Sequence, residues 1–326
     1  MNKATARSHS NIAFVKYWGR KDEVLRLPTN GSVSMNISNL HTTTTVEFNP
    51  SLSQDMVVLD GRQVKDEQKR VSQHLDRIRK RAGLREFAHV QSVNSFPAGT
   101  GLSSSASGFA ALTVAALSAT NLNLSEKEIS ILARQGSGSA CRSIPDGFVE
   151  WIDGDSNETS FAQRIYNPNH WNLVDLVAVV STTKKDIPTS VGQTYAQSSI
   201  FFNERLRNMT RKIEQCKLLL QEKNFEKFGI FVEREALEMH AVMISSWPSL
   251  IYWLPNTIVV MKHVQKWRNE GLPVYFTINT GQDIHVLCEE QHASTIKTLL
   301  SQIEGVSRVI KNNPSKGSYL LPDHLF

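Results

Sequence analysis

Residues 95–117 read SFPAGTGLSSSASGFAALTVAAL. Pro97 is followed by Gly99, Gly101 and Gly108, by Thr100 and by four serines, Ser103, Ser104, Ser105 and Ser107, before the stretch turns apolar. Small residues let a backbone approach a ligand closely, and the first N–H groups of a helix have no partner within the helix. The stretch therefore reads as an anion cradle feeding a helix that runs from near Leu102 to about Ala119. Serine hydroxyls suit phosphate oxygens or Mg²⁺, and the positive helix end adds to them. No lysine follows the last glycine, as a Walker A loop needs, and no dinucleotide fingerprint follows either. On these residues alone, a tight loop that packs a small-residue helix against a sheet accounts for the stretch equally well.

Outward from this loop the chain mixes strands and helices. Upstream, NIAFVKYW, SVSMNI and the β-branched TTTTVEF read as strands. DMVVLDGRQV is a hairpin with Asp60-Gly61 at its turn. A helix is predicted over 66–82, with Val71, Leu75 and Ile78 on one face, and HVQSVNSF is the strand entering the loop. Downstream, Ser125 and Glu128 form a capping box in NLSEKEISILARQ. GSGSACRS is a second small-residue cluster, and DGFVEWI and LVDLVAVV are strands. Helices are expected over 189–221, 225–245, 257–269 and 291–303, with PVYFTINTG as a central strand and HVLCE beside it. Without regular βαβ repetition this is α+β, with a domain boundary at 180–190.

The bulk properties bound the function. The chain has 326 residues, enough for one large domain or two ordinary ones, and its 40% hydrophobic and 21% charged residues are globular proportions. A net charge of +5 is compatible with a phosphate-bearing ligand and equally with no charge-based function. There is no zinc-finger spacing, and the densest basic run, DRIRKRAG, is the wet end of a helix, so no nucleic-acid partner is expected. Cys141, Cys216 and Cys288 are too scattered for a disulfide framework or a metal pattern, which suits a cytoplasmic protein. MNKATARSHSNIAFVKYWG lacks the apolar segment of a secretory signal, and no apolar run approaches about 18 residues, so no membrane partner is expected.

PAGTGLSSSASGFAAL resembles the phosphate loop of the GHMP kinase superfamily, and in particular that of the diphosphomevalonate decarboxylases. NIAFVKYWGRKDEVLRLPTNGSVSMNI resembles that family's N-terminal substrate motif, ARQGSGSACRSIPDGFVEW its central signature, and YFTINTGQDIHVL its late strand and glycine turn. The resemblance implies a two-lobed GHMP kinase fold, with an N-terminal ribosomal protein S5 domain 2-like lobe over 1–185 and a C-terminal ferredoxin-like α/β lobe over 186–306. The tail 307–326 would return to the N-terminal lobe. It also implies a homodimer, ATP and Mg²⁺ as cofactors, and a small phosphorylated hydroxy acid as substrate. The tertiary C3 hydroxyl is phosphorylated, and loss of that phosphate with CO₂ leaves an alkene diphosphate. Phosphorylation makes the leaving group, and the adjacent carboxylate quenches the positive charge that develops at C3.

Carried onto this chain, the resemblance assigns ATP binding to Pro97, Gly99, Gly101, Leu102, Ser103, Ser104, Ser105 and Lys184, with Ser105 also on Mg²⁺. Lys185 is the alternative to Lys184. Arg142 is the partner of the substrate carboxylate, because a planar guanidinium matches it bidentately. Ser137 and Ser139 flank it, Ala13 lies against substrate, and Lys16, Tyr17 and Arg20 face the diphosphate end, with Lys16 also assigned a catalytic role beside Arg142 and Asn279; Tyr17 and Trp18 read equally as core aromatics. Two departures stand out. STTKKDIPTSVG has Pro188-Thr189-Ser190 where the family usually has a double serine. FTINTG places Asn279 where the family has an aspartate near the C3 hydroxyl, and Thr280 where it has alanine. Asn279 orients a hydroxyl but accepts no proton at neutral pH, and Asp283 lies past the turn. Three readings stay open: a decarboxylase in which ATP oxygens take the proton, a 3-kinase acting on mevalonate or its monophosphate, and a phospho-ligand binder without turnover.

Overall fold

The computed structural model describes residues 3–96, 102–183 and 185–326. In chain order the first lobe contains β1 (Lys3–Val15), β2 (Arg20–Asp22), β3 (Leu27–Pro28), β4 (Ser32–Asn49), β5 (Met56–Leu59), β6 (Arg62–Gln63), α1 (Lys65–Ala82), β7 (Phe87–Asn94), α2 (Ser104–Ala119), α3 (Glu126–Gly136), β8 (Phe148–Ile152) and β9 (Phe161–Tyr166). The second contains β10 (Leu173–Val179), α4 (Thr189–Gly192), α5 (Phe202–Glu222), α6 (Phe225–Ile244), α7 (Pro255–Asn269), β11 (Tyr275–Thr277), β12 (Ile284–Glu289), α8 (Glu290–Ser301) and β13 (Arg308–Asn312). β14 (Ser318–Leu321) closes the chain.

The first lobe is built on an eight-stranded sheet in the order β14-β1-β4-β7-β5-β6, with β8 and β9 attached to β4. β4 is long because its Thr42–Thr45 run suits a pleated surface, and it changes partners along its length. Its first residues pair with β8, from Ser32↔Trp151 to Met35↔Phe148, and its later ones with β7, from Thr42↔Asn94 onward. The Asp60-Gly61 turn has φ of 49° and 76°, the left-handed pair that a two-residue hairpin requires. α2 packs nearly all round, and its alanines let it lie close against β1 and β4. α3 begins on the Ser125–Glu128 capping box.

The second lobe carries a four-stranded sheet ordered β11-β12-β10-β13. The YFT strand is therefore an edge strand, not the central one its apolar run suggests. Helices bury it instead: a Cβ on Gly229 of α6 would sit 2.0 Å from the Tyr275 ring. The helix expected over 189–221 is three pieces, α4, a 3₁₀ stretch Gln193–Ser198 and α5. Serine hydroxyls bind backbone at the break: Ser198 Oγ donates to Tyr195 O at 2.6 Å, and Phe201 N donates to Ser199 Oγ at 3.2 Å. Sheet membership also differs from the boundaries at 185 and 307, because both β10 and β13 belong to the second sheet. β14 pairs with β1 of the first.

One apolar cluster spans both sheets. Ile12, Phe14 and Met35 of the first pack with Leu176, Val177 and Val286 of the second and with Phe228 of α6. The Phe14 and Phe228 rings meet edge to face at 4.9 Å. Among the described residues no helix is long and apolar enough to cross a membrane.

Candidate active site

A cavity of about 470 Å³ opens between the lobes. Ala13, Lys16, Tyr17 and Arg20 reach it from β1 and the residues beyond, and Ser103, Ser104 and Ser105 from the start of α2. Ser137, Ser139 and Arg142 come from the turn after α3, and Asn279 from the turn after β11. Residues far apart in sequence thus share one space. Leu102 does not line it: the side chain is 2% exposed in the core, and its carbonyl accepts a bond from Ser10 Oγ at 2.7 Å. Pro97, Gly99, Gly101 and Lys184 lie outside the described residues. Of the aromatic pair, Trp18 is core, whereas Tyr17 is half-buried in the cavity wall, edge to face with Trp151 at 4.7 Å.

Arg142 sits on a six-residue 3₁₀ turn, Gly138–Ser143, and is 4% exposed. Its Nη1 donates to Ser32 Oγ at 2.9 Å and its Nη2 to Asn11 Oδ1 at 3.0 Å. Both partners are neutral, and among the described residues no carboxylate comes within ion-pair distance. Burial pushes the pKa of Arg142 down, yet arginine keeps its proton. A fixed, buried, uncompensated positive charge at a cavity wall is an anion site.

Lys16 Nζ donates to Asn279 Oδ1 at 3.1 Å, and Asn279 Nδ2 donates to Ser103 Oγ at 3.2 Å. This chain links β1, the turn after β11 and the start of α2. Ser103 holds φ of 62°, an unusual left-handed conformation for serine that turns the chain into α2. The Lys16 backbone is clamped from the second lobe: its N–H donates to Glu235 Oε1 at 3.1 Å, and its carbonyl accepts from Arg205 Nη2 at 2.9 Å. His240 Nε2 bonds the Asn279 carbonyl at 2.9 Å, and burial holds this imidazole down at about 3, so it is neutral.

Two arginines not singled out in the sequence join Arg20 in the wall, Arg26 from within the N-terminal motif and Arg70 from outside any motif. Arg26 Nε donates to Gln135 O at 3.1 Å, and Arg70 Nη2 to Gly136 O at 2.9 Å. Both cap the carbonyl end of α3. Burial pushes Arg26 down to about 10, with Arg70 and Arg20 acting the same way. The Arg20 side chain is 6% exposed; it pairs with Glu23 at 2.5 Å, while its Nε is buried without a partner. The N-terminal motif contains Arg26 without distinguishing it from its neighbours, and no sequence signal marks Arg70, because an isolated arginine in a helical stretch looks solvated.

Lys185 also lines the cavity. Its Nζ donates to Thr189 Oγ1 and to Thr280 O, each at 2.5 Å, and the two threonine hydroxyls meet at 2.8 Å. The residues that depart from the family pattern, Thr189 and Thr280, therefore touch each other. Burial pushes Lys185 down to about 8. Asp283 faces away from the cavity, and its Oδ1 accepts from Val180 N at 2.9 Å.

Among the described residues no group of three or more His, Cys, Asp and Glu could hold a metal. Glu67 is the only acidic residue among those described in the wall. The donor set, hydroxyls and cations, fits Mg²⁺ carried in on phosphates and not a resident metal.

A cation-lined cavity between two α+β lobes, beside a serine-rich helix start, defines a site for a small anion with more than one charged end. Residues 8–162 match the diphosphomevalonate decarboxylase-like N-terminal domain, and residues 175–318 match the mevalonate 5-diphosphate decarboxylase C-terminal domain. The chain belongs to the diphosphomevalonate decarboxylase family. It is 32% identical to the phosphomevalonate decarboxylase of Haloferax volcanii, over 90% of this chain and 91% of that one. It is 31% identical to the diphosphomevalonate decarboxylase of Candida albicans, over 97% of each. Among solved structures, the mevalonate diphosphate decarboxylase of Enterococcus faecalis superposes with a TM-score of 0.91 at 36% identity, covering 98% of both chains. MDDEF in complex with MVAPP, AMPPCP and magnesium gives 0.92, with the same identity and coverage.

Proposed function

We propose that the protein catalyses ATP-dependent decarboxylation of mevalonate 5-diphosphate to isopentenyl diphosphate, a step of isoprenoid biosynthesis, through phosphorylation of the C3 hydroxyl. The observation that carries this reading is Arg142, a buried guanidinium without a carboxylate, in one cavity with the Lys16–Asn279 contact. Arg142 holds the substrate carboxylate as a fork and keeps it aligned with the C3 bond that must break. Lys16 and Asn279 face the C3 hydroxyl. Tyr17, Arg20 and Arg26 take the phosphate end, with Ser137 and Ser139 along the chain between. Ser103, Ser104, Ser105 and Arg70 hold the ATP phosphates at the start of α2, and the apolar end of the cavity, with Val57, Val90 and Leu112, takes the base. The Ser105 hydroxyl would help hold Mg²⁺ on the phosphates, where the ion would neutralise their charge. Pro97, Gly99, Gly101 and Lys184 complete the cradle on the strength of the family resemblance.

The two lobes are read as S5 domain 2-like and ferredoxin-like, and the protein as a cytoplasmic homodimer; its three buried free cysteines suit a reducing compartment. A second reading, decarboxylation of the 5-monophosphate, is favoured by the name of the Haloferax volcanii relative. Against it, two guanidiniums at the phosphate end, Arg20 and Arg26, match the charge of a diphosphate better than that of one phosphate. Purified protein assayed with Mg-ATP against mevalonate, its 5-phosphate and its 5-diphosphate, scoring ADP, phosphate and CO₂ separately, decides. CO₂ release with the diphosphate at the highest kcat/KM is expected. ADP without CO₂ from any substrate marks a 3-kinase, and absence of ADP from all three sinks the enzyme reading.

A further inference from the structure

Phosphorylating a tertiary alcohol requires something to take its proton, and among the described residues the cavity offers no carboxylate near Asn279. Glu67, the only acidic residue described in the wall, acts on Arg70. The Asn279 amide cannot accept a proton at neutral pH. Beside it stands one amine.

Building on the function proposed above, we propose that Lys16, as the neutral amine, is the base that takes the C3 hydroxyl proton. Lys16 is 2% exposed, and Asn279 Oδ1 is the only partner of its Nζ among the described residues. An ammonium there brings three donors to one neutral acceptor, which leaves buried N–H groups unmatched and a buried charge uncompensated. A neutral amine donates one N–H to Asn279 and keeps a lone pair for the cavity. Every charged neighbour is consistent with this. Glu235 meets the Lys16 backbone N–H and is already shared by Arg205 and Lys212. Asp175 is bonded to His285 and Asn312. Arg142 and Arg205 are positive, and His240, behind Asn279, is neutral. Burial accordingly pushes Lys16 well down, Arg142 and Arg205 push the same way, and Glu235 and Asp175 oppose them. The Asn279 amide, which leaves the lysine without a counter-ion, is thus what keeps it unprotonated and able to accept a proton.

The step balances. The C3 O–H bond breaks and its proton passes to Nζ, giving an ammonium. The oxygen forms a bond to the γ-phosphorus of ATP, and the bridging P–O bond breaks with its electron pair going to ADP. The C3–O bond then breaks with its pair going to phosphate. The bond from C2 to the carboxylate carbon supplies the pair of the new double bond as CO₂ leaves. The ammonium returns its proton to the departing phosphate or to water.

Single-turnover ADP formation is measured against pH for wild type, Asn279→Asp, Lys16→Ala and Lys16→Arg with the 5-diphosphate. In wild type the rate should climb about tenfold per pH unit below the titration of Lys16 and then level off. Asn279→Asp should move that limb at least about one pH unit lower, since the carboxylate becomes the base. Lys16→Ala should lose about 10²–10⁴-fold and recover with added methylamine or ethylamine in proportion to the free-base concentration, whereas Lys16→Arg should not recover. A flat wild-type profile from pH 6 to 9, with turnover intact, overturns the assignment of Lys16 but leaves the proposed function standing. Absence of ADP with all three mevalonate substrates removes both. If Lys16 variants fail to fold, competitive acetylation of wild type across pH, read by peptide mass spectrometry, gives the titration of Lys16 directly. A midpoint well below that of the exposed lysines is expected, and one equal to theirs overturns the proposal.

Discussion

Arg142 and Lys16 illustrate opposite uses of a buried cation. Arginine cannot shed its proton, so Arg142 must be matched by the ligand; replacing it with alanine should cost roughly 2–5 kcal/mol of transition-state binding. Arg142→Lys should recover little, because one ammonium does not reproduce the fork. Melting temperature should fall far less than kcat/KM, since the groups that lose a partner are neutral: Asn11, Ser32 and the rings of Tyr17 and Trp151; kinetics and calorimetry on both variants check this. Lysine can shed its proton, and that leaves a mark on stability. With the Lys16 pKa depressed in the folded state and near 10.4 in the unfolded one, the unfolded chain binds more protons between those two values. Stability should therefore rise with pH across that window as the folded-state penalty lifts. Urea unfolding from pH 7 to 10 should show this slope in wild type and lose it in Lys16→Met, which should also be the more stable protein at pH 7. At this scale the sequence is legible where a residue sits in a dense motif, as Arg142 and Ser103 do. Arg70, outside any motif, is not legible, and Arg26 is not distinguished within its motif, because their placement arises only when both bond the carbonyl end of α3.

The start of α2 separates backbone from side chain. Ser103 holds a left-handed φ, which glycine adopts without strain, and its hydroxyl accepts from Asn279. Ser103→Gly should leave stability within about 1 kcal/mol of wild type while raising the KM for ATP; a melting curve paired with ATP titration at saturating substrate tests both halves. α1 meets α2 through His74, whose Nε2 lies 2.8 Å from Thr113 Oγ1. Burial pushes His74 down to about 3, against about 6.5 in an unfolded chain. The unfolded state takes up the proton first as pH falls through this range, so stability should drop by about 1.4 kcal/mol per pH unit for this group. His74→Gln should flatten the acid side of a denaturation-versus-pH curve. Elements of this kind are readable when their signals are local: the Asp60-Gly61 turn and the Ser125–Glu128 box each need only a few neighbouring residues. The break at 193–201 is not, because Ser199 reaches Ser245 across 46 positions, at 2.7 Å. Nor is the edge position of Tyr275–Thr277, whose apolar run reflects the helices α6 and α7 packed against it.

For the whole molecule, the shared core predicts one unfolding transition. The rings of Phe14 and Phe228 belong to different lobes yet to one cluster, so calorimetry should give a single peak; two resolved peaks would show that the lobes melt apart. The α+β class and the two-lobed division are readable from the order of strands and helices. The lobe limits are not, because β10 and β13 join their sheet by long-range pairing that no local signal carries. The last strand has a consequence for how the protein comes into being. β14 pairs Leu321 with Thr5 and Ser318 with Ser8, and the Phe326 carbonyl accepts from Lys3 Nζ at 3.0 Å. The outer edge of β1 thus waits for a strand that follows every other element described. On the ribosome, β1 is paired on that side only after both lobes' other strands and helices have been made, so the N-terminal sheet cannot complete itself before the second lobe has emerged. An exposed β1 edge is also a template for wrong pairing between nascent chains, and β14 ends that hazard once it has docked.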